Sequence, residues 1–282
     1  MKIGIILEGG GMRGLYSAGI IDALLENHIY CDVIMGVSAG ALFGMNYKSR
    51  QKGRVLRYNT RFVHIKNYMG MHSLLTTGDI VNKDFCFHKI VYDLDPVDFQ
   101  TYRQTPEQFY AVVTNLETGQ AEYHLLDDLE KTDNMEYLRA SGSMPFVSRP
   151  VKIQGHLYLD GGCSDSIPID KMMTMDVDKI IVVLTRPLHY FKKAQPSLPT
   201  RLYYRKYPAF VRTLNQRHIN YNHSLQKIAQ LEKKQQIFVL RPSKTIAVKR
   251  LEKNIEVLQA MHQLGLDDAR QQLSKLLCYL EK

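Results

Sequence analysis

A chain of 282 residues, 45% apolar and 23% charged, has material for one large α/β domain or one and a half domains, and its composition excludes disordered and fibrous classes. No apolar run approaches the length of a membrane span; the longest, Ile180-Ile181-Val182-Val183-Leu184, is strand-sized. The formal net charge of +9 is concentrated, since Lys179 to Leu231 contains ten Lys or Arg and no Asp or Glu while the remainder is close to neutral, and such localisation points to a negatively charged partner.

The chain opens directly on a buried-strand pattern at residues 2–7, too short for a secretory apolar region, and passes through Gly9-Gly10-Gly11 into a helix near 13–27. Cys31-Asp32-Val33-Ile34-Met35 reads as a second short strand, and Ala39–Lys48 as a helix. Residues 51–105 carry helical stretches around an irregular part at Met69-Gly70-Met71, in the position of a possible lid. Phe109–Thr114 and Ala121–Leu125 read as paired strands joined by Glu117-Thr118-Gly119. A helix near 134–141, a hairpin around Gly155 ending in Leu157-Tyr158-Leu159, a helix near 168–175 and a strand at 179–185 continue the alternation. Beyond Arg186-Pro187 a proline-rich loop is predicted to 200, then mainly helix to 282, interrupted by the strand Ile237–Leu240. The last helix is predicted to start at Leu266-Asp267-Asp268, where acids suit a helix N-terminus. Alternating βα units imply a mostly parallel sheet covered on both faces, an α/β/α fold with a helical C-terminal part. The boundaries expected are a core at 1–186 and a basic extension at 187–282 packed on it. Cys31, Cys86, Cys163 and Cys278 show neither metal nor redox spacing; reduced thiols and the absence of an apolar leader predict a cytoplasmic protein.

The chemistry-bearing pattern is Gly36-Val37-Ser38-Ala39-Gly40, placed between a strand and a helix. A turn that sharp strains its apex residue, requires small neighbours two positions away, and lifts a hydroxyl beside the positive end of a helix, which suits a nucleophile. Alone, the pentapeptide is equally a small-residue turn. Glu8-Gly9-Gly10-Gly11-Met12-Arg13-Gly14 lacks the spacing of a nucleotide-binding loop; its backbone donors suit an oxyanion hole, or the glycines form a plain tight turn. Asp160-Gly161-Gly162 closes a strand with an acid that can take the serine proton directly, unless it is an ordinary Asp-Gly turn. His189, His218, His223 and His262 sit in a basic loop or on helices and His156 precedes the acid, so a histidine-free mechanism fits better than a triad.

With Ala140-Ser141-Gly142-Ser143-Met144-Pro145-Phe146, these blocks resemble, in order and spacing, the patatin-like phospholipases, especially compact bacterial members. The resemblance covers residues 1 to about 185. It implies a Ser38–Asp160 dyad, an oxyanion hole from the loop of Gly9, Gly10 and Gly11 with Met12, and an orienting or anion-stabilising Arg13. Gly36, Gly40, Gly161 and Gly162 support the two turns, and Ala140–Phe146 shapes the site wall without direct chemistry from Ser141 or Ser143. It implies hydrolysis of fatty acyl esters of lipids with no metal or cofactor, and no acid-rich calcium loop is present. The competing readings are a small-ester carboxylesterase or thioesterase with the same dyad, and a catalytically silent membrane-surface or protein-binding module.

Residues 187–217 mix cations with aromatic rings: Tyr190, Phe191, Lys192, Lys193, Arg201, Tyr203, Tyr204, Arg205, Lys206, Tyr207, Phe210, Arg212 and Arg217. Cations near an anionic lipid surface contribute roughly 1 kcal/mol each, and rings with polar tips favour that boundary, so peripheral contact with the inner membrane face is expected. A solvated helix face is the bland alternative. No nucleic-acid motif accompanies the cations, and no nucleic-acid partner is expected.

Overall fold

The computed structural model describes residues 1–281. In chain order the strands are β1 (Ile3–Leu7), β2 (Val33–Val37), β3 (Gln108–Asn115), β4 (Ala121–Leu125), β5 (Val151–Ile153), β6 (His156–Asp160), β7 (Lys179–Val183) and β8 (Phe238–Leu240). The helices are α1 (Leu15–Glu26), α2 (Ala39–Lys48), α3 (Arg54–Phe62), α4 (Met71–Thr77), α5 (Phe99–Gln104), α6 (Thr132–Ser141), α7 (Ile169–Met173), α8 (Ser197–Tyr203), α9 (Pro208–Lys233) and α10 (Ile255–Glu281), with a π-helical stretch at Phe85–Leu94. The strands form one sheet in the order β5-β6-β3-β2-β1-β7-β8, with β4 also on β3. β3, β2, β1, β7 and β8 run parallel, whereas β4, β5 and β6 are antiparallel to their neighbours.

Alternation along the central strands builds the three layers. Ile5, Leu7, Ile34, Phe109, Ala111, Ile181 and Val183 face one side and pack with α1, α2 and α10. Ile6, Val33, Met35, Val37, Val112, Ile180 and Val182 face the other and pack with Met172 of α7 and Tyr221, Ile228 and Leu231 of α9. Successive side chains of a strand point to opposite faces, so a strand covered on both sides reads as an unbroken apolar run. No helix among the described residues is long and apolar enough to cross a membrane.

Two expectations about the C-terminal part are corrected. The stretch read as loop to residue 200 already contains the start of α8 at Ser197. The last helix begins at Ile255 rather than Leu266 and runs unbroken for 27 residues. Asp268 is no first-turn acid: it is buried and accepts the Ser243 N–H at 2.9 Å. Gly265, which weakens the helical signal, lies at a helix crossing, where an added Cβ would stand 2.1 Å from the Tyr16 carbonyl; Gly19 meets the His262 carbonyl in the same way. The crossing is pinned by His262 and Asp22, buried partners 2.8 Å apart, so His262 holds α10 on α1 and takes no part in the site.

Candidate functional site

Pairing register assembles the site at the C-terminal edge of the central strands. Val37, the last residue of β2, is level with Val112 of β3, and the next β3 residue, Val113, is opposite Asp160 of β6. The residue after Val37 is therefore delivered beside Asp160. Ser38 Oγ donates to Asp160 Oδ2 at 2.7 Å, and Asp160 Oδ1 accepts the Gly162 N–H at 2.7 Å. Ser38 has φ 55° and ψ −125°, a sparsely populated conformation for a residue with a side chain. The elbow is held from outside, since the Ser38 N–H donates at 2.9 Å to Oγ of Ser141, which is fully buried at the end of α6. The Asp160 N–H donates to the Ser143 carbonyl on the same turn. Gly40 has to be glycine: a Cβ there would stand 2.1 Å from the Leu7 carbonyl. Gly36 backs onto Ala41 and Gly161 onto the Val112 carbonyl in the same sterically closed fashion.

Burial pushes the Asp160 carboxyl above its ordinary value, opposed by the Ser38 hydroxyl, the Arg217 charge, the Gly162 N–H and the Arg250 charge. A carboxylate so placed is a stronger proton acceptor than an exposed one.

The glycine loop follows β1, the strand beside β2. Gly9 lies against the serine, with a hypothetical Cβ 2.7 Å from Ser38 Cβ, and Gly11 has φ +58°. The N–H groups of Gly9, Gly10 and Gly11 have no protein acceptor among the described residues. The Met12 amide, expected among the oxyanion donors, is corrected: it donates to the Arg250 carbonyl at 3.0 Å and is spent on closing the loop. The base of the loop is fixed by buried Glu8, which accepts the Thr185 N–H at 2.6 Å and the Tyr221 hydroxyl at 2.6 Å. Arg13 lies on the rim, and burial with the neighbouring Arg186 charge lowers its guanidinium to about 10.

Ser38 separates two cavities. One, of about 110 Å³, is apolar and runs between α2 and the 54–91 region, lined among others by Leu42, Phe43, Tyr58, Met69, Phe87 and Leu138. The region expected as a possible lid thus supplies wall to this cavity. The other, of about 360 Å³, lies over Asp160 and is lined by the glycine loop, Met144–Val147 and side chains of the C-terminal part.

Sequence reasoning missed those C-terminal contributions. Lys192 and Arg217, read as membrane-facing, line the second cavity, and Tyr204 and Phe210 of the same list are buried in a core cluster with Leu116, Leu159 and Cys163. The signal available was the long stretch without acids, which marks a cationic segment but not which cations turn inward.

A mostly parallel α/β sheet with a strained serine beside a glycine loop and a buried aspartate defines an α/β protein of the serine-elbow kind. The patatin-like phospholipase family model matches residues 5–173, and the chain belongs to that family. A second model, a domain of unknown function (DUF6363), matches residues 207–281. Among curated proteins, a lysophospholipase nte1 of Aspergillus niger is 30% identical over 191 residues, covering 64% of this chain and 12% of that protein. The uncharacterized protein YjjU of Escherichia coli is 24% identical over 199 residues, 69% of this chain and 55% of its own length. The match thus spans a minor part of the first relative and about half of the second. Among solved structures, VipD from Legionella pneumophila superposes with a TM-score of 0.50 at 14% identity, covering 97% of this chain and 67% of that one, a likeness of fold.

Proposed function

We propose that the protein is a serine hydrolase of lipid acyl esters working through a Ser38–Asp160 dyad. The observation that carries this reading is the 2.7 Å hydrogen bond from a strained serine hydroxyl to a buried carboxylate. Family membership and the lysophospholipase relative support the substrate class. Asp160 takes the Oγ proton as Oγ attacks the acyl carbonyl carbon, and the free amides of Gly9, Gly10 and Gly11 receive the negative oxygen. The carbon–oxygen bond to the alcohol breaks and the alcohol leaves with the proton from Asp160. Water then attacks the acyl-serine, giving its proton to Asp160 and releasing the fatty acid while Ser38 is reprotonated. The apolar cavity beside Ser38 accepts the acyl chain.

Contact with a lipid surface fits a rim on the C-terminal part. Leu188, Phe191, Leu198, Leu202 and Tyr203 are exposed, and Lys193, Arg201, Arg205 and Lys206 are exposed among them. Apolar groups interspersed with cations favour the boundary of an anionic bilayer.

Chromogenic fatty acyl ester hydrolysis and fluorophosphonate labelling test the dyad. Ser38→Ala should lose both labelling and turnover. Asp160→Asn, whose amide oxygen can still accept the Gly162 N–H while its NH2 faces Ser38 Oγ as a donor and takes no proton, should lose turnover yet still fold, as a cooperative melt would show. Full turnover in either variant overturns the reading.

A further inference from the structure

The larger cavity over Asp160 is walled by five basic side chains, Arg13, Arg186, Lys192, Arg217 and Arg250, against two carboxylates, Glu8 and Asp160. Both acids are occupied: Glu8 by Thr185 and Tyr221, Asp160 by Ser38 and Gly162. None of the five cations makes an ion pair among the described residues. The Nε atoms of Arg13 and Arg217 are buried with no hydrogen-bond partner. Buried charges are ordinarily paired, so cations that line a pocket without a carboxylate partner point to an anionic ligand. Lys192 is held in place by its own backbone, whose N–H and carbonyl both bond the Asn222 side chain of α9 at 2.9 Å, and its ammonium lies 4.2 Å from the Tyr221 ring centre. Burial, reinforced by the Arg217 charge and opposed by Glu8, lowers that ammonium to about 7. Arg217 lies at the reacting end, with Nη2 3.3 Å from where a Cβ on Gly162 would stand.

Four of the five cations lie outside the segment matched by the patatin-like model, and two of these, Arg217 and Arg250, lie in the segment 207–281 matched by the second model. A cluster of like charges is costly until an anion enters it, and guanidinium forks with an ammonium suit the several oxygens of a phosphate. A cationic headgroup would be repelled.

We infer that this cavity is a phosphate subsite for the leaving group, so that the ester cleaved belongs to an acylglycerol phosphate, with Lys192 and Arg217 as specificity-determining residues. The assignment rests on Ser38 as nucleophile, since it orients the substrate with acyl chain in the apolar cavity and phosphate over Asp160. A phosphomonoester, carrying close to two charges at neutral pH, matches the excess of cations better than a choline diester.

The test compares a lauroyl glycerol phosphate with lauroyl glycerol as substrates. Wild type should prefer the phosphate, and Lys192→Gln with Arg217→Gln should lower the ratio of kcat/KM values by about tenfold or more. Lys192→Arg should preserve the ratio. An unchanged ratio, or an equal fall on both substrates, overturns the inference. Calorimetry on Ser38→Ala separates this failure from failure of the dyad. Glycerol 3-phosphate should bind and glycerol should not, with binding lost in Ser38→Ala carrying the two Gln substitutions, whether or not wild type hydrolyses either ester. Inorganic phosphate binding that the acylglycerol phosphate fails to displace would identify a free-phosphate site and refute the leaving-group assignment.

Discussion

Replacing Ser141 by alanine removes one hydroxyl that touches neither ester nor proton, yet it should slow the reaction. Ser141 Oγ is the acceptor for the Ser38 N–H, 2.9 Å away in a fully buried position. The backbone it restrains is held at φ 55°, a conformation that costs of order 1–3 kcal/mol and persists only when its surroundings enforce it. Loss of the acceptor leaves a buried amide unsatisfied, at about 1–3 kcal/mol. If most of that energy appears as misdirection of Oγ, kcat/KM should fall about tenfold to a hundredfold, since each ~1.4 kcal/mol is a factor of ten. The remainder should appear as a melting point lower by a few degrees. Steady-state hydrolysis of a chromogenic acyl ester, with the rate of fluorophosphonate labelling as a second reading, measures the effect on the nucleophile. Wild-type rates in both assays would show that the elbow keeps its geometry without Ser141 and would refute the reasoning.

Three further outcomes are expected. Gly11→Ala adds a Cβ 2.5 Å from the Arg250 carbonyl at φ +58°, and displacing one oxyanion donor should cost about 10²–10³ in kcat by the same ester assay; activity near wild type would remove the loop from the mechanism. Because burial raises the Asp160 carboxyl and the reaction needs it ionised, kcat/KM on an uncharged ester should be lost as pH falls through a value above the ordinary aspartate range, and Arg217→Gln, removing an opposing charge, should move that limb to higher pH; an unmoved limb argues against Asp160 as the base. Leu42→Trp, on the apolar wall one helical turn after Ser38, should lower turnover of long-chain esters relative to butyrate, and an unchanged chain-length profile would place the acyl chain elsewhere.

The parts of the fold legible in the sequence are those encoded locally. Strand-sized apolar runs, the Ser38 pentapeptide and the glycine loop each set their geometry within a few residues, so their patterns predict β1, β2, α2 and the turns between them. Asp160 was legible as an acid ending a strand; its placement beside Ser38 follows from register between strands distant in sequence. What escaped was tertiary. Nothing local distinguishes Lys192 and Arg217, which turn into the cavity, from Lys193 and Arg212, which stay exposed. Gly265 and Asp268 imitate a helix boundary because one allows a close helix crossing and the other serves a loop N–H.

The bond from the Met12 amide to the Arg250 carbonyl has a temporal consequence. Serine, aspartate and glycine loop all lie within the first 162 residues, but the clasp on the loop, the edge strand β8 and the helix lying on α1 come from residues 238–281. During synthesis on a ribosome, a nascent chain would carry every reactive group long before it could hold them in register. Such an order of assembly delays competence until residues 238–281 have emerged.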